Sequence, residues 1–232
     1  MSFSDGDFIK VEYSAWRASD GSMVYTTQRE IAEKNGIYNK DRTYKPAIVI
    51  IGKHTVVKGL EDAIRNMNVG ESKKVEIEPE DAFGQRNPDL VRVMHASDFR
   101  KRDIDPVPGL QVDLDGTPAV ITAVNSGRVT IDANHPLAGE KMTYEIKVVS
   151  KIESDREKVE ELVNASGIKA DSIKFENGVA ELHFGESADR NAADYFISKN
   201  AAVRAILDFI PKANKVTVVE EYTRGQKDKK QD

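Results

Sequence analysis

The strongest single constraint on this chain is the run Ala47-Ile48-Val49-Ile50-Ile51, which follows Pro46 and Lys45 and is ended by Gly52. Side chains branched at Cβ are stiff and pack better on a pleated surface than on a helix. A short run with apolar residues at both parities suits a strand covered on both sides, so residues 46–51 read as the central strand of a sheet. The same run is the most apolar stretch of the chain, and its five residues fall far short of the ~20 that a bilayer-spanning helix requires. No membrane partner is expected.

The surrounding residues supply the rest of a small α+β unit. Ile9, Val11 and Tyr13 alternate with Lys10, Glu12 and Ser14, the period of a half-buried strand. Asp20-Gly21 marks a turn, Val24-Tyr25 begins another extended piece, and residues 28–34 are briefly helical before Gly36. After Gly59, Leu60, Ala63, Ile64 and Met67 form one stripe of a short amphipathic helix, for which Gly70 is the expected left-handed cap. Val75 and Ile77 alternate with Lys74, Glu76 and Glu78 in a further strand closed by Pro79.

Composition narrows the function classes. Among 232 residues there is no cysteine, which excludes disulfides, thiolate zinc sites and thiol catalysis. Lys+Arg 34 against Asp+Glu 39 gives a net charge of −5, which offers no basic surface for nucleic acid. His54, His95, His135 and His183 show no ligand spacing, so no metal and no cofactor are expected. The polar start Ser4-Asp5-Gly6-Asp7 does not read as a signal peptide, and a cytoplasmic chain is the expectation.

Residues 85–133 are dense in turn signals. Val112 and Leu114, then residues 120–124, then Val129 and Ile131 read as strands, with hairpin turns at Asp115-Gly116 and Ser126-Gly127. Beyond Ile152, Ser154-Asp155-Arg156-Glu157 is a capping box that starts a helix with Val159, Leu162 and Val163 inward and Gly167 at its end. Ile173 and Phe175, the turn Asn177-Gly178, then Ala180, Leu182 and Phe184 predict a hairpin. Phe196, Val203, Leu207 and Ile210 mark one face of a long helix stopped by Pro211, and residues 216–219 form a closing strand. A charged tail occupies 225–232.

Three segments in order carry a resemblance. Val57-Lys58-Gly59-Leu60-Glu61-Asp62-Ala63-Ile64, then Met67-Asn68-Val69-Gly70-Glu71, then Pro79-Glu80-Asp81-Ala82-Phe83-Gly84 resemble the core signature of FK506-binding-protein-type peptidyl-prolyl isomerases. The pattern resumes at Asn134-His135-Pro136-Leu137-Ala138-Gly139-Glu140 and the strand at 142–148, similar to the insert-bearing, SlyD-like branch. The implied fold is an antiparallel sheet wrapped on a short helix. It implies a discontinuous isomerase domain at 1–84 plus 134–152 and an insert-in-flap domain at 85–133. The remainder, 153–224, would be the extra C-terminal α+β domain of the long archaeal type.

Carried over by position, the resemblance places Tyr25, Thr26, Phe83 and Tyr144 at the catalytic centre, with Tyr13, Ala47, Val49, Val56, Val57 and Leu60 contacting substrate. Thr26 stands where the family usually has Asp, Phe83 where it has Tyr, Leu60 where single-domain members often have Trp, and Ala47 where a larger wall residue is common. Val91, Val93, Met94 and Phe99 are the insert's candidates for binding clients. Trp16 reads as packing and His135 as part of a structural turn.

The chemistry fits such a residue set. Exchange about an X-Pro bond is slow because resonance stiffens it, with a barrier of ~18–20 kcal/mol, and no nucleophile is needed to lower it. An apolar pocket that strips water from the amide and clamps the ring favours the twisted form. The expected function is therefore isomerase and folding chaperone for unfolded chains, the alternative being a holdase with a degenerate pocket. Docking, client holding or homodimerisation fall to the C-terminal domain.

Overall fold

The computed structural model describes residues 2–114, 116–185 and 193–222. Asp115 of the expected Asp115-Gly116 turn and the charged tail at 225–232 lie outside the described residues. In chain order the elements begin with β1 (Phe8–Arg17), β2 (Met23–Thr26), α1 (Arg29–Lys34), β3 (Ala47–Ile50), α2 (Lys58–Arg65) and β4 (Ser72–Ile77). There follow β5 (Val91–His95), α3 (Ala96–Arg100), β6 (Gln111–Leu114), β7 (Thr117–Asn125), β8 (Arg128–Asp132) and β9 (Met142–Ile152). The chain closes with α4 (Asp155–Ala165), β10 (Ser172–Glu176), β11 (Val179–Phe184), α5 (Ala193–Phe209) and β12 (Lys215–Glu220). This is the α+β architecture that the alternation of short β-prone runs and brief helical stripes implied.

The elements form two compact units, one of Met1–Ala15, Met23–Val75 and Glu145–Asp232, the other of Trp16–Ser22 and Glu76–Tyr144. In the first, the sheet order is β2-β1-β9-β4, and β3 pairs antiparallel with β1 in the register Phe8↔Ile50 to Val11↔Ala47. Here the sequence expectation is corrected: β3 is not the central strand, because its only ladder among the described residues is with β1, and β1 is the hub. Its β-branched run is nonetheless covered on both sides. Ile50, with Ile48 beside it, enters a buried cluster with Phe8, Ile152, Val159, Val163, Leu182, Phe184 and Ile206, while Val49 is buried on the other face. Burial by a following layer, not by two flanking strands, accounts for that apolar run.

Leu60, Ile64 and Met67 are buried as the stripe required, with Ala63 half-buried. Gly70 does not cap α2. The helix ends at Asn66, with φ −95°, and Gly70 at φ +84° belongs to the turn before β4, where its N–H donates to Val148 O at 2.9 Å. In α4 half of the expected box is present, Ser154 Oγ accepting from Glu157 N while the Glu157 carboxylate takes Lys10 instead, and Ser166-Gly167 ends the helix. The turn at Asn177-Gly178 has both residues at positive φ, the type I′ geometry that matches strand twist. A Cβ on Gly178 would lie 2.7 Å from Lys212 O, so glycine is required there for space as well.

The expected face of α5 is split: Ile210, just past the helix end, is buried and Val203 is half-buried, but Phe196 and Leu207 are turned outward. Phe196 is 53% and Leu207 43% exposed, whereas Tyr195, Ala202 and Ile206 are buried. Tyr195 meets Phe184 edge to face at 5.9 Å, and its hydroxyl, with Lys199 Nζ, holds Glu220 on β12 at 2.8 and 2.6 Å. The buried stripe thus lies one residue away from Phe196 and Leu207 and carries these polar tips to β12. β12 joins β11 in parallel and β10 joins it antiparallel, giving a mixed three-stranded sheet.

In the second unit the strands run β5-β8-β7-β6, all antiparallel, with a bulge between Ile121 and Ala123. The three expected strands are there, and β5 and α3 add to them. The core is Ala96, Phe99, Val112, Ala119, Ile121, Val129 and Ile131. Phe99, expected at a binding surface, is 1% exposed and anchors that core. Val93 is 62% exposed, Val91 is also exposed, and Met94 packs partly on the core.

Candidate functional site

Tyr13 on β1 and Tyr25 on β2 lie side by side in the first unit, their rings stacked with centroids 5.0 Å apart and planes 13° from parallel. The strands bring them together: Thr27 N donates to Tyr13 O at 3.0 Å, and Tyr13 N donates to Thr27 Oγ1 at 3.0 Å. A second group covers Tyr25. The guanidinium carbon of Arg42 sits 3.8 Å from the Tyr25 centroid. Two groups so close to one ring overlap unless they take opposite faces, so Tyr25 is flanked on both and offers a ligand its edge and hydroxyl. Nothing in the sequence around Lys40-Asp41-Arg42 signals this contact.

Thr26 points the other way, as its neighbour in a strand must. It is wholly buried, 2.8 Å from Ser14 Oγ, and its oxygen accepts from Gln28 N at 3.2 Å. Its hydroxyl is committed to the β1–β2 pairing. Ala47 is half-buried on β3 and Val49 is fully buried beneath the surface.

Val56 and Val57 are half-buried and lead into α2, where Val57 is the N-cap and its carbonyl accepts from Leu60 N at 3.0 Å and Glu61 N at 3.1 Å. Leu60 is buried in the first turn. The approach to Val56 is set by Glu61, 3% exposed, whose two carboxylate oxygens accept from Gly52 N and His54 N, each at 2.9 Å. His54, with φ +52°, is held in a left-handed conformation by this bond. Glu61 was within the motif that carried the resemblance, but an acid in a helical first turn is ordinary enough that its structural task was not legible.

Phe83 and Tyr144 belong to the second unit. Phe83 is stacked on His135, centroids 4.6 Å apart and planes 3° from parallel. His135 Nδ1 accepts from Leu137 N at 3.1 Å, which leaves Nε2 to carry the proton of the neutral ring. Tyr144 is buried, and burial pushes its phenol up to about 12, so it is uncharged at neutral pH. The base of the 88–132 region is cross-braced. Arg86 pairs with Asp132, Asn134 Oδ1 accepts from Asn87 N at 2.8 Å and its Nδ2 donates to Asn87 O at 2.9 Å, and Gly139 N donates to Gly84 O at 2.8 Å.

The described residues contain no group of three His, Asp or Glu placed to hold a metal ion, and no helix among them is long and apolar enough to cross a membrane. What the aromatic and aliphatic residues can do is desolvate and hold an apolar ligand.

Residues 2–98 match the model of the FKBP-type peptidyl-prolyl cis-trans isomerase family, and residues 92–137 match that of the FKBP26 IF domain. The chain is 37% identical over 143 residues to a short-type peptidyl-prolyl cis-trans isomerase of Methanocaldococcus jannaschii, covering 62% of this chain and 90% of that protein. It is 31% identical over 143 residues to an FKBP-type isomerase SlyD of Pasteurella multocida, covering 60% and 71%. Over 109 residues it is 31% identical to an FKBP-type 16 kDa isomerase of Escherichia coli, covering 45% and 73%.

Proposed function

Since this chain belongs to the FKBP-type peptidyl-prolyl cis-trans isomerase family, we propose that it exchanges X-Pro bonds in unfolded or partly folded chains. In this reading proline enters an apolar pocket to which Tyr13, Tyr25, Val56, Val57 and Leu60 of the first unit contribute. The observation that carries it is the Tyr13–Tyr25 stack in the same unit as a Val56-Val57 segment that follows the 52–54 turn held by Glu61. Fixed rings and a fixed backbone amide favour the twisted amide without rearranging during the reaction, and each ~1.4 kcal/mol so gained is tenfold in rate.

The region that matches the IF domain is proposed to capture clients. Supporting this, Leu90, Val91 and Val93 are exposed, and a cleft of about 310 Å³ is lined by Leu90, Met94, Leu114, Ala119 and Ile131. Phe99 drops out of the client-binding set because it is core. Only 62% of this chain aligns with the short-type relative, against 90% of that protein, which supports reading this chain as a long-type member with an added domain, proposed to be the C-terminal one.

The second reading, a holdase with weak catalysis, is favoured by Thr26 being committed to Ser14 and by Phe83 lacking a hydroxyl. Substoichiometric chain added to a test protein whose refolding is limited by prolyl exchange separates the two. Acceleration of the slow phase that is lost in Tyr13→Ala establishes catalysis in this pocket. An unaltered slow phase with aggregation still suppressed establishes the holdase.

A further inference from the structure

Two guanidinium groups lie in the aromatic patch formed by Tyr25, Tyr38 and Tyr44. Tyr38 and Tyr44 are stacked at 5.7 Å, and Asn39 N donates to the Tyr44 hydroxyl at 2.9 Å, which ties the segment between α1 and β3 to itself. Arg29 lies 5.1 Å from the Tyr38 centroid and its Nε is 2.7 Å from Glu33, so its charge is compensated. Arg42 lies 3.8 Å from the Tyr25 centroid and 5.5 Å from that of Tyr44, and forms no ion pair with any described carboxylate.

A guanidinium that stacks by its face keeps its N–H donors around the rim, in the fork that matches a carboxylate. Contact with the two rings restrains the Arg42 side chain in advance, so less side-chain entropy remains to be lost when an anion binds. An uncompensated, pre-oriented positive charge thus backs a residue at which proline is expected to dock.

We propose that Arg42 is a specificity-determining residue that favours substrates carrying a carboxylate side chain beside the proline. The inference rests on the isomerase reading for its substrate and adds the charge selection to it. Neutral-capped peptides Ala-Xaa-Pro-Phe and Ala-Ala-Pro-Xaa, with Glu, Gln or Lys as the variable residue, test it through kcat/KM from magnetisation-exchange NMR. Glu is expected to exceed its neutral isostere Gln by roughly two- to fivefold in at least one series, and Lys by more. The preference is expected to vanish in Arg42→Met, which keeps an aliphatic stem against Tyr25, and to survive in part in Arg42→Lys. It is also expected to fade in ~1 M salt, where the screening length is about 3 Å.

Equal rates for Glu and Gln in the native chain overturn the proposal, as does an unchanged ratio in Arg42→Met. A purely structural role for Arg42 would shift all peptides together and leave the ratio and its salt dependence alone. Calorimetric binding of the same peptides separates this inference from the isomerase reading. Glu-selective binding without turnover retains Arg42 recognition and removes catalysis, whereas equal or absent binding of Glu and Gln peptides removes Arg42 recognition.

Discussion

The region at 88–132 and the region after Ile152 are both small sheets backed by helices, yet their cores end in different places. The first is built from its own residues, Ala96, Phe99, Val112, Ile121, Val129 and Ile131 among them. The second is completed by Phe8, Ile50 and Ile152, which belong to strands of the five-stranded sheet. Polar ties at the two junctions are of similar kind: Arg86 with Asp132 and Asn87 with Asn134 at one, Lys10 with Glu161 at 2.7 Å and Glu157 at 3.1 Å at the other. The difference implies that shared apolar burial, rather than the number of polar ties, is what would make an added region unfold with its host.

The largest test of that contrast is truncation. A chain ending at Ile152 exposes Phe8, Ile50 and Ile152, and at about 1.5–3 kcal/mol for each fully buried side chain the loss rivals a typical total stability of about 5–15 kcal/mol. It is expected to aggregate or melt far below the full chain. Replacing 88–132 by a short loop is expected to leave the rest close to its original midpoint in thermal unfolding. If both deletions cost the same, the comparison fails.

Single core truncations come next. Ile50→Ala is expected to cost ~2–5 kcal/mol and to lower amide protection in β1, β3 and β10–β12 together, by native-state hydrogen exchange. Phe99→Ala, at ~3–5 kcal/mol, is expected to expose amides in β5–β8 alone. Asn134→Ala removes bonds to Asn87 and Asp132 and is expected to cost about 1–2 kcal/mol, read as faster exchange at Asn87 with β10–β12 unchanged.

The smallest effects are electrostatic. Lys199 and the Tyr195 and Tyr222 hydroxyls hold the Glu220 carboxyl down to about 2, against an ordinary 4.5. Its contribution is therefore complete above about pH 4.5 and is lost as pH falls through about 2. Acid titration of stability is expected to flatten over that window in Glu220→Gln, with the change confined to β10–β12 and α5. Lys10→Met should cost at most ~1 kcal/mol, since its side chain and that of Glu157 remain partly in water.

Turns and caps were the best determined by local sequence. Asn177-Gly178, the Ser154 cap and Gly167 each specify a backbone conformation through their own chemistry, and each occurs as expected. Tyr13 and Tyr25 were named together by the resemblance, but that their rings stack on each other was not legible. Nor were Arg42 on the Tyr25 ring, His135 on Phe83 and Glu61 under the 52–54 turn, because their partners lie 7 to 52 residues away and charged residues carry no periodicity.

Two errors show where the boundary falls. The run at 47–51 required two covered faces, and the sequence determined that much; whether a neighbouring strand or a following layer provides the cover depends on what the rest of the chain brings to β3. Likewise α5 holds two overlapping apolar stripes, and composition favoured the one with Phe196 and Leu207. The stripe that is buried carries Tyr195, Ala202 and Ile206 into the shared core, and Tyr195 and Lys199 also reach Glu220, a partner supplied by β12. Periodicity reports that a face is apolar because side-chain direction is a local property of the backbone. Which apolar face is buried is a competition among surfaces far apart in sequence, and only the assembled fold brings the competitors together.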